Sequence, residues 1–365
     1  MLKRSVMLNF APKFNYMSQF HALKIAAVDK LTPNSVALTF DIPENLKDTF
    51  SFKAGQYITL KHQLNGKELR RAYSISSPPS SGKLTVGIKK MEDGTFSVYA
   101  NESLKAGDTI DVMVPEGRFV FEATSPKKIA AFAAGSGITP IMSIAQTVLE
   151  SHGENTFVLV FGNQSPEETM YFKTIQSLKE RYGNRFFVQY VYSRVSEEGA
   201  LFGRIERSTV NFVLKNKFKG TEFDAFYLCG PEEMIEQVSD TLKDTGVSKD
   251  KVHFELFTTD DETEDELAGA LEGKTEVEVL LDDETFTLVM DKKELVLDAV
   301  LKQDIDAPYS CQGGVCSTCI ARLVEGEVEM VKNHILTDGE IKEGFVLTCQ
   351  AHPISAKIKV DYDDV

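Results

Sequence analysis

Apolar and polar positions follow two different rhythms along this chain. Up to about residue 120 the apolar positions fall in short runs, at 21–28, 35–42, 57–64, 69–75, 83–90 and 109–114. These runs are rich in β-branched, leucine and aromatic side chains and are bounded by turn residues, so they predict strands. Asn65-Gly66 is a hairpin signal between two of them, because both residue types tolerate positive φ. One helix is expected near 95–104. Many short strands with turn signals predict a small antiparallel barrel.

From about residue 127 apolar strand runs alternate with helix-spaced segments. Strands are expected at 128–135, 157–162, 186–192, 225–230 and 251–257, with helices at 140–150, 167–183, 205–217 and 231–243 between them. That alternation predicts an α/β unit with a doubly wound parallel sheet. Residues 258–275 are acidic and poor in large apolar side chains, as a solvated linker would be. A third unit follows, with strands at 276–281 and 285–290, a helix at 294–303 and a cysteine-rich loop.

With 365 residues the chain has room for two or three domains. No apolar run approaches the roughly 20 residues of a membrane span. The N-terminus has no compact apolar stretch followed by a small-residue cleavage site, so a cytoplasmic protein is expected, with Met17 as an alternative start. The net charge of −15 is unevenly placed: residues 258–365 carry 26 acidic and 9 basic side chains. Such a field repels nucleic acid and favours a basic protein surface as partner; solubility alone is the other explanation.

Cys311, Cys316 and Cys319 are spaced C-x4-C-x2-C, and Cys349 lies thirty residues further on. This is the plant-type spacing for a [2Fe–2S] cluster, in which a short loop wraps three thiolates and a distant residue supplies the fourth. Structural zinc more often shows paired C-x2-C knuckles, and disulfides are rare in the cytoplasm. The fifth cysteine, Cys229, ends a predicted strand and is followed by Gly230 and Pro231. It is either a core cysteine or part of a ligand site beyond the carboxyl end of the sheet.

Gly135-Ser136-Gly137-Ile138-Thr139-Pro140 joins the first strand of the α/β unit to its first helix. Glycines there let backbone amides approach a pyrophosphate, although a tight strand–helix turn would use them equally. Arg71-Ala72-Tyr73-Ser74 lies on a barrel strand. Arginine can clamp phosphate, tyrosine can stack on a flat ring and serine can bond a ring nitrogen, but an ordinary strand could also carry these residues. Gly94, Phe96 and Ser97 open the predicted barrel helix, where amides and a hydroxyl could meet phosphate. The six histidines are dispersed without metal-ligand spacing.

Taken in order, Arg-x-Tyr-Ser, Gly-x-x-Ser, Gly-Ser-Gly-Ile-Thr-Pro, Cys-Gly-Pro and the cysteine loop resemble the ferredoxin–NADP reductase family fused to a plant-type ferredoxin. The resemblance spans residues 20–365. The stretches PYSCQGGVCSTC, LVEGEVEM and GFVLTCQAHP look most like the reductase components that feed di-iron oxygenases of phenylacetate degradation, the ring-1,2-phenylacetyl-CoA epoxidases. The resemblance implies an FAD-binding β-barrel at 18–121, an NAD(P)-binding α/β domain at 122–257, a linker at 258–273 and a β-grasp ferredoxin domain at 274–365.

It also implies roles. Arg71 would hold the FAD pyrophosphate, Tyr73 would pack on the isoalloxazine and Ser74 would sit near its N5. Ile88 and Lys89 would flank the ribityl and phosphate region, and Gly94, Phe96 and Ser97 would close over the phosphates. Gly135, Gly137 and Thr139 would line the nicotinamide-nucleotide site, with Cys229, Gly230 and Pro231 at the nicotinamide. Glu255 and Phe257 would lie near the flavin, so that Ser74, Cys229 and Glu255 form the catalytic set. The second α/β strand ends in Phe161-Gly162-Asn163, without the acid that favours a free ribose hydroxyl. Ser193-Arg194 falls where relatives hold a 2′-phosphate, so NADPH is expected ahead of NADH. The expected activity carries electrons from NADPH through FAD to the cluster and on to a di-iron oxygenase or other redox protein with a basic docking face. Neither nucleic acid nor a membrane is expected as partner. A reductase for another oxygenase, desaturase or hybrid-cluster protein, and a flavin diaphorase, are the alternatives.

Overall fold

A computed structural model describes residues 20–64, 66–92, 94–122, 127–257 and 271–365. Met17, Asn65 and most of the acidic linker lie outside the described residues. The alternating runs near the N-terminus form β1 (Phe20–Thr32), β2 (Ser35–Asp41), β3 (Tyr57–Leu64), β4 (Lys67–Ser74), β5 (Leu84–Lys89) and β6 (Thr109–Met113), with helix α1 (Thr95–Glu102) between the last two. The strands are antiparallel in the order β4-β3-β6-β1-β2-β5. A bridge from Ile75 to Val86 brings the two ends of the sheet together, so the sheet curls into a barrel. Leu23, Leu38, Ile58, Leu60, Val86 and Ile88 fill it, because period-2 alternation sends every second residue inward.

The second unit alternates β7 (Lys128–Ala134), α2 (Ile138–Ser151), β8 (Thr156–Asn163), α3 (Phe172–Tyr182), β9 (Phe186–Tyr192), β10 (Leu201–Phe202), α4 (Arg207–Asn211), β11 (Ala225–Cys229), α5 (Glu232–Asp244) and β12 (Val252–Glu255). The single helix expected at 205–217 begins as α4 and ends in a π-helical stretch, Phe212–Lys217. All strands are parallel, in the order β10-β9-β8-β7-β11-β12. The chain winds outward from β7 to β10, then crosses back to β11. The switch in direction therefore falls between β7 and β11, where an open α/β sheet leaves a crevice for ligands.

The third unit holds β13 (Lys274–Leu281), β14 (Glu284–Asp291), α6 (Val296–Leu301), β15 (Ile320–Glu325), β16 (Val328–Met330), α7 (Asp338–Lys342), β17 (Phe345–Leu347), β18 (Ala351–Pro353) and β19 (Lys357–Asp361). Its mixed sheet runs β14-β13-β19-β15-β17, with β13 and β19 parallel, and α6 packs its Val296, Leu297 and Val300 into the same core. This is the β-grasp arrangement. Among the described residues no helix is long and apolar enough to cross a membrane.

The third unit sits against the other two. Val315 of the cysteine loop packs into the apolar cluster that holds Met234 and Leu256 of the α/β unit. Tyr57 Oη lies 2.9 Å from Thr318 Oγ1, and Thr59 Oγ1 donates to Ser310 Oγ at 3.0 Å, joining β3 to the same loop.

Candidate functional site

One cleft of about 750 Å³ runs along the junction of the three units. Its lining follows from strand ends. β4 presents Arg71, Tyr73 and Ser74; β5 presents Gly87 and Lys89; the start of α1 presents Gly94, Phe96 and Ser97. The ends of β7 and β11 present Gly135, Gly137, Thr139, Gly230 and Pro231, and the end of β12 presents Glu255 and Phe257. At the far end the wall is Cys311, Val315 and Cys316.

Backbone geometry explains the glycines at the switch point. Gly135 has φ +56°, a conformation that L side chains seldom adopt. A Cβ on Gly137 would lie 2.1 Å from the carbonyl oxygen of Cys229, so β7's turn and β11's end touch only because no side chain intervenes. Thr139 Oγ1 donates to Ser136 O at 3.0 Å and holds the turn closed. At the barrel side, Ser97 Oγ accepts from the Met91 amide at 3.1 Å, and α1 begins at Gly94 with no side-chain cap. Its first amides are left for an anion. Tyr73 packs near Phe96, with ring centroids 5.8 Å apart, and burial raises its phenol pKa, so it stays neutral.

Ser74 Oγ donates to Glu255 Oε2 at 3.1 Å, linking the barrel to β12. Desolvation pushes the Glu255 carboxyl up to about 8, against the lowering effect of that hydrogen bond. The carboxyl therefore holds a proton at neutral pH. Glu255 is the register partner of Cys229 across β11 and β12. Burial, then the nearby Glu255, raises the Cys229 thiol well above its ordinary range.

Three expected residues stand elsewhere. Ile88 is 0% exposed and lies inside the barrel, because its neighbours Gly87 and Lys89 take the outward parity of β5. Cys229 is also 0% exposed; it lies in the core beneath the cleft, whose surface there is Gly230 and Pro231. Arg194 is exposed and off the cleft, although Ser193 lines it. The arginine at the nucleotide end of the cleft is Arg204, whose side chain is 77% exposed and lies 3.7 Å from Glu233. Short β10 pairs with Val191 and Tyr192 and returns the chain to the sheet end, which places Gly203 and Arg204 there. Sequence reasoning missed Arg204, because a two-residue strand leaves no periodic signal, and Gln164, which follows β8 and also lines the cleft.

The four cysteines of the C-terminal loop converge. All are free thiols, and Cys316, Cys319 and Cys349 are buried while Cys311 is partly exposed. Hydrogen bonds from Cys316 and Cys349, then from the Gly313 and Val315 amides, hold the Cys311 thiol far below its usual range. The Gly313 amide stands 3.3 Å from Cys311 Sγ. Gln312 and Gly314 adopt φ +54° and +74°, the kinks that turn the loop around its thiols. Among the described residues no three ligating side chains close on the single point that a lone zinc ion needs. A two-iron cluster takes a wider set of four thiolates, and these four cysteines would hold it.

The rest of the cleft fits a flavin and a pyridine nucleotide. Asn163 Nδ2, at the end of β8, is a buried donor with no hydrogen-bond partner among the described residues. Arg71 donates Nη1 to the backbone oxygen of Arg70 at 2.7 Å and, among the described residues, pairs with no carboxylate, which leaves its fork to a phosphate.

Comparison with known proteins agrees unit by unit. The chain matches an oxidoreductase FAD-binding domain over residues 22–121, an oxidoreductase NAD-binding domain over 132–240 and a 2Fe-2S iron-sulfur cluster binding domain over 279–353. It is 34% identical to a component of the 1,2-phenylacetyl-CoA epoxidase of Escherichia coli, over 95% of this chain and 99% of that protein. It is 30% identical to the ferredoxin reductase component of 3-ketosteroid-9-alpha-monooxygenase from Rhodococcus rhodochrous, over 93% and 96%. The solved structure of phthalate dioxygenase reductase shares the fold, with a TM-score of 0.61 at 22% identity, covering 94% of this chain and 98% of that one. The chain belongs to the ferredoxin–NADP reductase family, in the arrangement that carries a plant-type [2Fe–2S] domain at its C-terminal end, and is an NAD(P)H-dependent FAD/[2Fe–2S] electron-transfer oxidoreductase.

Proposed function

We propose that this chain is the reductase component of an oxygenase system, supplying electrons from NADPH to a di-iron oxygenase that acts on phenylacetyl-CoA. The observation that carries the electron path is the single cleft: nucleotide motifs at one end, the Arg71-Tyr73-Ser74 strand in the middle and Cys311 with Cys316 at the other. Bound FAD and the cluster supply the conversion of a two-electron hydride donor into single electrons.

The chain's residues arrange that chemistry. Arg71 and the first amides of α1 bind phosphate. Tyr73 offers a neutral, apolar ring face. Gly135, Gly137 and Gly230 let the nucleotide come close to the backbone. Ser74 donates its hydroxyl to Glu255 at the cleft wall, and the Glu255 carboxyl keeps a proton of its own that it can donate below about pH 8. Val315, Tyr57 and Thr318 pack the cysteine loop against the cleft.

NADPH is supported by the lack of an acid at the end of β8, in Phe161-Gly162-Asn163, and by Arg204 at the cleft edge. The phenylacetyl-CoA client is supported by the 34% identity to the Escherichia coli epoxidase component. The 26 acidic side chains of residues 258–365 favour a basic docking face on that client. The test is reconstitution of the purified holoprotein with candidate oxygenase components. Phenylacetyl-CoA-dependent NADPH consumption with the matching di-iron component is the expected result. Equal or faster coupling to a 3-ketosteroid or glycine betaine monooxygenase would reject that client.

A further inference from the structure

Consecutive arginines on β4 face opposite ways, as strand alternation requires. Arg71 lines the flavin cleft. Arg70 turns to the other face and is 6% exposed, yet it touches no part of the cleft. Its Nη2 donates to Asp306 Oδ1 at 2.8 Å and its Nε to Glu68 Oε1 at 2.9 Å. Its Cζ lies 4.3 Å from the ring centre of Tyr309 and 5.0 Å from that of Phe20. Asp306 and Tyr309 belong to the segment that leads directly into Cys311.

We propose that Arg70 is the positioning residue of a latch that seats the cluster domain on the flavin barrel. A buried arginine with two carboxylates and two aromatic faces is a specific grip, because the planar fork fixes the direction of each bond. Neighbouring residues on the same barrel face extend it. In the β3–β4 register Lys61 opposes Arg70, Thr59 opposes Ala72 and Tyr57 opposes Ser74, so these side chains share one surface. Thr59 takes Ser310, just before Cys311, and Tyr57 takes Thr318, just after Cys316. Thr318 Oγ1 also donates to Glu116 Oε2 at 2.9 Å. Arg118 pairs with Glu340 at the start of α7. Two barrel arginines thus meet two acids of the most acidic part of the chain, and the cysteine loop is gripped on both sides.

The latch has a functional corollary. β4 turns Arg71 to the flavin cleft and its neighbour Arg70 to the cluster domain, so the cleft and the cysteine loop are held in fixed relation by adjacent residues. This proposal is independent of which oxygenase is served.

The test uses the FAD- and cluster-loaded protein with Asp306→Arg, and with Arg70→Glu/Asp306→Arg. Asp306 is 69% exposed, so the first variant folds whether or not the proposal holds. Hydrogen exchange of backbone amides 309–318 reads docking directly. At least a tenfold loss of protection is expected in Asp306→Arg, with recovery in the charge-swapped double variant. The rate of cluster reduction after flavin reduction should fall and recover in parallel, while flavin reduction by NADPH stays unchanged. Wild-type protection in Asp306→Arg, or a double variant no better than the single one, would overturn the latch.

Discussion

Ser74 Oγ and Glu255 Oε2 meet at 3.1 Å across the boundary between the barrel and the α/β unit. Neither residue's own unit could place a carboxylic acid beside a strand serine at the cleft wall. The contact exists because β4 and β12 end on the same cleft, and desolvation there keeps the acid protonated.

The sign of the pH dependence follows. The folded Glu255 carboxyl titrates at about 8, above its ordinary 4.5. Between those values the folded chain binds more protons than the unfolded one, so this group's contribution to stability falls as pH rises and is fully lost above 8. The donor it offers to the cleft is lost over the upper end of that range. Flavin reduction by NADPH should therefore slow as pH rises through about 8, while Glu255→Gln, an amide that cannot titrate, should show a flat profile there. Stopped-flow rates from pH 6 to 9.5 check this, and superimposable profiles would contradict it.

Gly137→Ala forces a Cβ to within 2.1 Å of the Cys229 carbonyl oxygen. The backbone must move apart at the switch point, at a cost of about 1–3 kcal/mol for overpacking. KM for the nucleotide should rise and the melting temperature should fall. FAD content, set on the barrel side, should hold. Steady-state kinetics, a melting curve and a visible spectrum of the purified variant measure all three.

Arg204 lines the nucleotide end of the cleft, and the proposed preference for NADPH rests on it. Arg204→Ala should raise KM for NADPH about tenfold or more and leave KM for NADH within about twofold, since a charge-assisted contact contributes about 1.5–3 kcal/mol. Arg194→Ala should change neither, because Arg194 is exposed and off the cleft. Parallel titrations with the two nucleotides separate these outcomes.

Much of this architecture was legible in the sequence because its signals are local. Period-2 runs gave the barrel strands, strand–helix alternation gave the parallel sheet, and the Cys311-Cys316-Cys319 spacing marked the loop before any fold was known. Misplaced residues failed where a signal depends on parity or on a return path. Ile88 belongs to the right strand but the wrong face. Arg194 follows the right strand, but β10 brings Arg204 back to the cleft instead. Cys229 ends the right strand with its side chain turned into the core. The seating of the third unit was not legible at all. Arg70, Thr59 and Tyr57 look like ordinary barrel residues until Asp306, Ser310 and Thr318, more than 230 positions away, are placed against them.

The central claim is an internal relay from the nucleotide end of the cleft to the cysteine loop. Its most direct test is an anaerobic NADPH titration of the holoprotein followed through the visible spectrum, beside the same titration of Cys311→Ser. In the wild type the flavin and iron–sulfur bands should both bleach. In the variant the flavin should still be reduced while the cluster bands are absent or unresponsive. A wild type whose flavin bleaches while its intact cluster stays oxidised would contradict the relay.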